Sequence, residues 1–288
     1  MNKLDAVSDI QLERVKYIDY CAYFLGRVGR KDLQERFGIA PAAATRDFNL
    51  YNQEARANLV YQPSIRSYAI SQSFSPLFDY TSLNVLSTIT NELAGNAVTP
   101  EDSLRLGRTI EVALLSKFTR AIHLNKVIEC TYRSTGSGES TKQLVPHALF
   151  DTGLHWYVRA YDRSEKRKQF ADFSLSRFLQ ITELDVLPLL DEAKDNDNEY
   201  NTFVTLEVTP HPNQKHPQTI EFDYGMTGGV LEKEVRSSLA GFLLRRWNID
   251  CSLNGRLSGY EYQLYLKNTA EIMNKADLFL APGFKKPD

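Results

Sequence analysis

The spacing of hydrophobic residues changes along this 288-residue chain, and that change limits the folds open to it. From about Ser8 to Asn125 most apolar residues recur at helical spacing, whereas from Lys126 to about Leu187 they alternate with polar ones. A last segment from Phe203 mixes short strand-like and helical runs. Because neither period runs throughout the chain, we expect an α+β, multidomain protein.

These changes of pattern predict four regions. Residues 1–78 have the pattern of helices followed by a hairpin, and residues 79–125 form a helical linker broken near Gly95 and by Pro100. Residues 126–190 form a domain of short strands, and residues 201–288 an α+β extension. The acidic, Asn-rich stretch Asp191 to Asn201 between the last two regions has the composition of a linker or mobile loop.

The first region begins with two helices. Apolar residues at helical spacing run from Leu12 to Leu25, and Gly29 is the expected end of that helix. In the short second helix Leu33 and Phe37 lie one turn apart, ahead of the predicted stop at Gly38.

The third helix of this region has one apolar and one polar face. Pro41 suits its first turn. Its predicted core face consists of Ala44, Phe48, Tyr51 and Ala55, and its outer face carries Thr45, Arg46, Asn49 and Gln53. Two strands, Leu59 to Tyr61 and Ser67 to Ile70, then flank a turn. The order predicts a winged helix-turn-helix, with a three-helix packing module that binds no ligand as the alternative.

The residues of this region carry a family resemblance. The runs that carry it are Arg30-Lys31-Asp32-Leu33-Gln34-Glu35-Arg36-Phe37-Gly38-Ile39, Ala44-Thr45-Arg46-Asp47-Phe48, Asn58-Leu59-Val60-Tyr61 and Phe74-Ser75-Pro76-Leu77-Phe78. They resemble the winged helix of WYL-domain regulators, most of all the BrxR and CapW group of repressors associated with phage defence. Two departures are Ala40 and Ala43, where the family often has Ser and a polar residue. We expect Thr45, Arg46 and Asn49, on the outer face of the third helix, to enter the major groove, and Arg66 on the wing and Arg30 or Lys31 to contact phosphate.

In the central region, one strand has two distinct faces. Between Gly153 and Tyr161 the predicted core face is Leu154, Trp156, Val158 and Ala160, and the predicted outer face is His155, Tyr157, Arg159 and Tyr161. Guanidinium groups pair with phosphate and aromatic rings stack on bases, so the outer face suits a nucleotide. The alternative is an ordinary solvated face of the sheet.

The run His155-Trp156-Tyr157-Val158 resembles the motif that names WYL domains, with Val in place of the final Leu. The resemblance implies an Sm-like β-barrel whose exposed face senses a nucleotide or short nucleic acid. By position, the ligand-binding candidates are Tyr132, Ser134, His147, Tyr157, Arg159 and Arg177. The C-terminal segment resembles the extension that serves dimer formation in these regulators, so a homodimer is implied.

Composition narrows the class of protein further. The net charge is −2, although seven basic residues face four acidic ones between Arg27 and Arg66. Three scattered cysteines among apolar neighbours predict buried reduced thiols, and no apolar run could span a bilayer, so we expect a cytoplasmic protein with no membrane partner. His211 and His216 are expected at the surface, and no spacing suggests a metal ion or cofactor.

Phosphate-loop and nucleophile-elbow motifs are absent from the sequence, so we do not expect an enzyme. The pattern and the resemblance together predict a sequence-specific repressor of its own operon, a homodimer on an inverted repeat that responds to a nucleotide or nucleic-acid effector. The alternatives are an adaptor that binds nucleic acid or protein without a promoter function, and a nuclease-associated enzyme.

Overall fold

The computed structural model describes Leu4, residues 7–81, Val85, residues 110–165 and residues 167–286. The chain divides into two compact units. Unit 1 comprises Met1–Phe150 and Tyr157–Leu189, and unit 2 comprises Asp151–Trp156 and Leu190–Asp288. Within the described ranges no helix combines the length and the apolar character that crossing a membrane requires. The breaks predicted near Gly95 and Pro100 lie outside the described residues.

The first helix of unit 1 ends earlier than the sequence suggested. Helix α1 spans Asp9–Tyr20 and continues as a π-helical turn, Cys21–Leu25, that Gly26 ends with a φ of +80°. Glycine adopts this left-handed conformation without steric cost, so Gly26 rather than Gly29 is the stop. The next two residues form strand β1, Arg27–Val28, which pairs with the wing and was not predicted.

The rest of the winged helix agrees with the predicted order. Helices α2 (Arg30–Phe37) and α3 (Pro41–Glu54) are joined by a turn in which Gly38 has a φ of +61°. Strands β2 (Leu59–Gln62) and β3 (Ser67–Ile70) form the wing, with the order β1-β3-β2 in the sheet. The buried core of this part comprises Leu4, Val15, Ile18, Cys21, Ala22, Val28, Leu33, Ala44, Phe48 and Tyr51.

The second part of unit 1 is one helix and a five-stranded sheet. Helix α4 spans Val112–Leu124, and the strands are β4 (Ile128–Ser134), β5 (Gly138–Asp151), β6 (Trp156–Asp162), β7 (Gln169–Ser174) and β8 (Phe178–Glu183). The order in the sheet is β7-β6-β5-β4-β8, so β7 and β8 are its two edges. Over the described residues this is an open sheet, and closure into the expected Sm-like barrel is not found.

The longer segment of unit 2 begins, at Leu190, with ordered turns where the sequence predicted a linker or mobile loop. Two 3-10 turns, Leu190–Glu192 and Lys194–Asn196, lead into helix α5, Asn198–Asn201. Asp197 is 1% exposed, and its carboxylate accepts a hydrogen bond from the Tyr200 amide at 3.1 Å. An N-cap of this kind favours a helix, which composition alone does not reveal.

A four-stranded sheet and three short helices complete unit 2. The strands are β9 (Phe203–Pro210), β10 (Leu231–Arg236), β11 (Ile249–Asp250) and β12 (Leu264–Leu266), in the order β10-β9-β12-β11. The helices are α6 (Pro217–Asp223), α7 (Ala240–Arg246) and α8 (Thr269–Ile272). A 3-10 turn, Ser237–Leu239, precedes α7. Because a 3-10 turn has three residues per turn, the positions of α7 that face the core differ from those of one continuous α-helix starting at Ser237. Ala240 and Leu244 are buried, whereas Trp247 is 37% exposed.

Candidate nucleic-acid interface and effector face

Helix α3 presents the polar face that the sequence predicted. Ala44 and Phe48 are buried in the core of the winged helix, while Arg46 and Asn49 are exposed on the opposite side. Thr45 is half-buried, and its Oγ1 donates to the carbonyl of Pro41 at 3.0 Å. This bond uses only the hydroxyl proton, so both lone pairs of Oγ1 can still accept hydrogen bonds. The orientation of the helix is confirmed, and the role of these three side chains in DNA contact stays a prediction.

A buried carboxylate on α3 was missed in the sequence. Asp47 is 1% exposed and accepts hydrogen bonds from Arg14 Nε at 2.6 Å and from Gln11 Nε2 at 2.9 Å, both on α1. A charge-assisted contact of this kind fixes one helix against another. No local pattern pairs Asp47 with an arginine 33 residues earlier. Its position between the core residues Ala44 and Phe48 did, however, indicate that its side chain could be buried.

The basic residues of α2 and the wing lie at the surface. Arg30 Nη2 donates to the Tyr68 hydroxyl at 3.3 Å, and Lys31 forms an exposed ion pair with Glu35 at 3.3 Å. Exposed pairs of this kind contribute little stability, so Lys31 can exchange this partner for a phosphate at small cost.

Arg66 lies at the tip of the wing in an unusual conformation. It is exposed and has a φ of +51°, a region that favours glycine or asparagine over arginine. Its amide donates to the carbonyl of Pro63 at 3.3 Å, which closes the turn. Arg66 is thus the exposed last residue of the turn that joins the two strands of the wing.

The central sheet brings together three of the six predicted ligand residues. His147 on β5 contacts the ring of Phe170 at a centroid distance of 5.7 Å, and Tyr157 stacks on Phe150 at 5.5 Å. Arg159 pairs with Asp172 across β6 and β7. Phe150, Phe170 and Asp172 also belong to this cluster, and they were not predicted from the sequence. If β7 is paired with β6 as an antiparallel neighbour, the alternation of its side chains places Phe170 and Asp172 on the same face as Tyr161 and Arg159. That pairing could have identified them from the sequence.

Two of the predicted ligand residues are buried, contrary to the expected exposed face. Arg159 is 2% exposed, and its Nη1 lies 3.2 Å from Asp172 Oδ2. Tyr132 is 5% exposed, with its ring packed on Phe173 and Phe178. Alternation along a strand separates its two faces but does not tell which face another layer covers, and here both faces of β6 are partly covered.

Of the remaining candidates, Ser134 is the last residue of β4 and Arg177 lies in a turn. The hydroxyl oxygen of Ser134 accepts hydrogen bonds from the amides of Gly136 and Ser137 in the turn between β4 and β5. Arg177 is half-buried in the 3-10 turn Leu175–Arg177 between β7 and β8. Of the cations among the ligand candidates, Arg177 is therefore the more accessible.

In unit 2 a histidine expected at the surface is buried. His211 is 3% exposed, and its Nδ1 accepts from the Asn213 amide at 3.2 Å, so Nε2 carries the proton and donates to Asp250 at 3.1 Å. Burial alone would raise the pKa of Asp250, but hydrogen bonds from Ser252 and His211 outweigh it and hold the pKa below its usual range. The pair joins the residue that follows β9 to strand β11. His216 is exposed as expected.

The three thiols are buried as predicted, at 2–3% exposure. Burial raises the pKa of Cys130 to about 12, so this thiol is protonated at neutral pH and a poor nucleophile. Among the described residues no three His, Cys, Asp or Glu side chains are grouped closely enough to hold a metal ion.

Family models match each part of the chain. The winged helix-turn-helix domain of BrxR transcriptional regulators matches residues 11–88, the WYL domain residues 113–183, and the C-terminal dimerization domain of BrxR transcriptional regulators residues 203–272. None of the three is a catalytic domain. The fold and these matches define a winged-helix regulator with a WYL domain.

Curated relatives cover almost the whole chain. DNA-binding transcriptional repressor CapW of Escherichia coli (strain KTE188) is 31% identical over 280 residues, which is 91% of this chain and 90% of the relative. The CapW repressors of Pseudomonas aeruginosa and Stenotrophomonas maltophilia are 32% and 30% identical, over 91% and 83% of this chain and 90% and 84% of the relatives. The chain belongs to the BrxR and CapW family of transcriptional regulators.

A solved structure of proteasome accessory factor B/C (PafBC) of Arthrobacter aurescens aligns with 95% of this chain and 49% of its own, at 15% identity and a TM-score of 0.26. A likeness at this TM-score carries no argument about function.

Proposed function

We propose that this chain is a sequence-specific DNA-binding transcriptional repressor that acts on the promoter of its own operon, as a homodimer on an inverted repeat. The observation that carries the proposal is the exposed polar face of α3, with Arg46 and Asn49 opposite the buried Ala44 and Phe48. A helix of this kind in a winged helix-turn-helix enters the major groove with its outer side chains toward the base edges. The relatives named DNA-binding transcriptional repressors support the same role.

In the proposed complex the contacts divide by chemistry. Thr45, Arg46 and Asn49 meet the bases, because Arg pairs with guanine and Asn with adenine in the major groove. Arg30, Lys31 and Arg66 meet phosphate, which orients the protein without reading sequence. Two copies are proposed because a C-terminal dimerization domain matches residues 203–272, and a two-fold dimer reads an inverted repeat. The controlled operon is proposed to be one for phage defence.

The proposed regulation places a nucleotide or short nucleic acid at the face of the central sheet. Tyr157, His147 and the rings of Phe150 and Phe170 offer stacking surfaces, and Arg177 offers a cation for phosphate. For such an effector to change repression, it must bind one arrangement of the protein better than the other.

The test is operator binding by two variants with different expected signatures. Arg46→Ala should weaken binding to the chain's own promoter by about 5- to 150-fold per site and relax sequence preference, because a base contact of this type contributes about 1–3 kcal/mol. Lys31→Ala should weaken binding to all sequences alike. The measurement is an electrophoretic mobility shift at fixed salt, with light scattering to give the number of copies in the free protein.

Arg56→Ala is the matched control, since Arg56 is an exposed arginine just beyond the C-terminal end of α3 and outside the proposed contacts. It should bind as the parent does. Unchanged promoter affinity in Arg46→Ala would remove this residue from the interface. A parent protein that shifts no promoter fragment would overturn the repressor function in favour of an adaptor.

A further inference from the structure

One buried carboxylate of the winged helix takes no part in the proposed DNA contacts. Asp19 on α1 is 0% exposed. It accepts hydrogen bonds from the hydroxyls of Tyr51 at 2.7 Å and Tyr80 at 2.9 Å, and from the amide of Leu77 at 3.2 Å. Within the described part of the chain these donors are all neutral. Burying a charge is costly unless it is hydrogen-bonded, so this arrangement needs all of its donors in place.

The donors to Asp19 come from elements far apart in sequence. Tyr51 belongs to α3 and is itself fully buried. Its hydroxyl also accepts from Asn58 Nδ2 at 3.0 Å, and Asn58 bonds the backbone of Ser75 in both directions, at 2.7 and 3.1 Å. The segment that follows the wing, residues 74–80, is therefore tied to the C-terminal half of α3 through two polar side chains.

Tyr80 is held by its ring as well as by its hydroxyl. The ring packs edge-on against Phe24 at a centroid distance of 5.1 Å and lies 6.0 Å from that of Tyr23. Burial raises the pKa of the Asp19 carboxyl, and the hydrogen bonds from Tyr51 and from the Leu77 amide oppose that rise. Loss of either phenol hydroxyl thus removes support for the carboxylate and loosens the link between its partners.

We infer that Asp19 is a positioning residue for operator binding, which fixes α3 by joining Tyr51 on that helix to Tyr80 on the segment after the wing. The inference rests on the proposed function. Tyr51 lies on the same helix as Arg46 and Asn49, so a shift at its hydroxyl changes the angle at which those side chains meet the bases. Bidentate contacts to base edges tolerate little misplacement, so affinity reports the position of the helix.

The experiment removes one hydroxyl at a time and keeps every ring. Tyr80→Phe, although remote from the proposed DNA contacts, should lower operator affinity by about fivefold or more, a modest coupling between distant sites. Tyr51→Phe should do the same. Amide hydrogen exchange in the full chain should become faster across residues 41–54 in both variants, because local protection follows local stability. Tyr23→Phe is the control, since its ring belongs to the same aromatic cluster and its hydroxyl does not bond Asp19.

The double variant Tyr51→Phe with Tyr80→Phe tests whether the two hydroxyls act together through Asp19 or independently of each other. If both hydroxyls act through Asp19, the double variant should lose less affinity than the product of the two single losses. Strictly multiplicative losses would overturn the inference, as would parent-like affinity and exchange in folded Tyr80→Phe. If the parent shifts no promoter fragment, the proposed function fails, and the exchange rates across α3 alone then decide whether Asp19 fixes the helix.

Discussion

Two arginine–carboxylate pairs in the central sheet have similar geometry but differ in their exposure to solvent. Arg159 and Asp172 lie 3.2 Å apart with side chains 2% and 9% exposed. Arg133 and Glu139 lie 3.0 Å apart with side chains 66% and 51% exposed. Removing one partner of a buried pair leaves the other charge in a poorly solvated place, whereas water replaces the lost partner of an exposed pair.

The two pairs therefore predict different costs for the same substitution. Arg159→Ala should lower the free energy of unfolding by about 3–5 kcal/mol, because the Asp172 carboxylate stays buried without this ion pair. Arg133→Ala should lower it by about 1 kcal/mol or less. Urea denaturation followed by circular dichroism measures both. Equal costs would mean that the Arg159 site opens to water in solution, as the sequence analysis had expected of this face.

The residues that sequence analysis placed correctly are those whose environment is set by their own element. Ala44, Phe48 and Tyr51 follow the period of α3, and all three are buried as predicted. Asp19 and Asp47 could not be assigned in this way. Their partners, Tyr80 and Arg14, lie 61 and 33 residues away, and a polar residue in a helix is ordinarily solvated unless the tertiary fold supplies donors.

At the scale of elements, the end of the first helix contacts helix α4 of the same unit. Arg120 on α4 donates to the carbonyl of Tyr23 at 2.7 Å and also bonds Glu183 on β8. A cation at the C-terminal end of a helix satisfies a carbonyl that lacks an intrahelical partner and stabilises the helix dipole. One guanidinium thus serves both the winged helix and the central sheet.

Gly26 lets the end of the first helix pack closely against α4, and Gly38 provides a matched control for this packing. A Cβ at Gly26 would lie 2.8 Å from Leu124 Cδ1, whereas a Cβ at Gly38 would meet nothing within 4 Å, and both glycines have a positive φ. Gly38→Ala should cost about 1–2 kcal/mol for the left-handed backbone alone. Gly26→Ala should cost up to about 1 kcal/mol more, because Leu124 Cδ1 is the tip of a half-buried side chain that can turn to another rotamer. Thermal unfolding compares the two variants directly, and a cost of several kcal/mol more for Gly26→Ala would show that Leu124 cannot move aside.

For the molecule as a whole, the proposed regulation requires the central sheet to influence the winged helix. Both lie in unit 1, and the Arg120 bridge joins them. An effector can shift DNA affinity only by the ratio of its affinities for the two arrangements of the protein, so a variant that loses effector contact should keep its basal DNA binding. Arg177 offers this separation because it lies in a turn at the sheet edge and is absent from the proposed DNA contacts.

We therefore expect Arg177→Ala to bind the operator about as tightly as the parent and to respond less to the effector. The probes are a mononucleotide and a short single-stranded oligonucleotide, titrated into the complex of protein and operator and followed by fluorescence anisotropy of labelled DNA. A parent response of at least about fivefold, within the usual range of coupling between sites, should shrink toward none in Arg177→Ala and persist in Arg133→Ala. If Arg177→Ala loses operator binding without any probe present, this arginine belongs to the DNA interface or to the fold. If neither probe changes the affinity of the parent, the effector is not a nucleotide or a short nucleic acid.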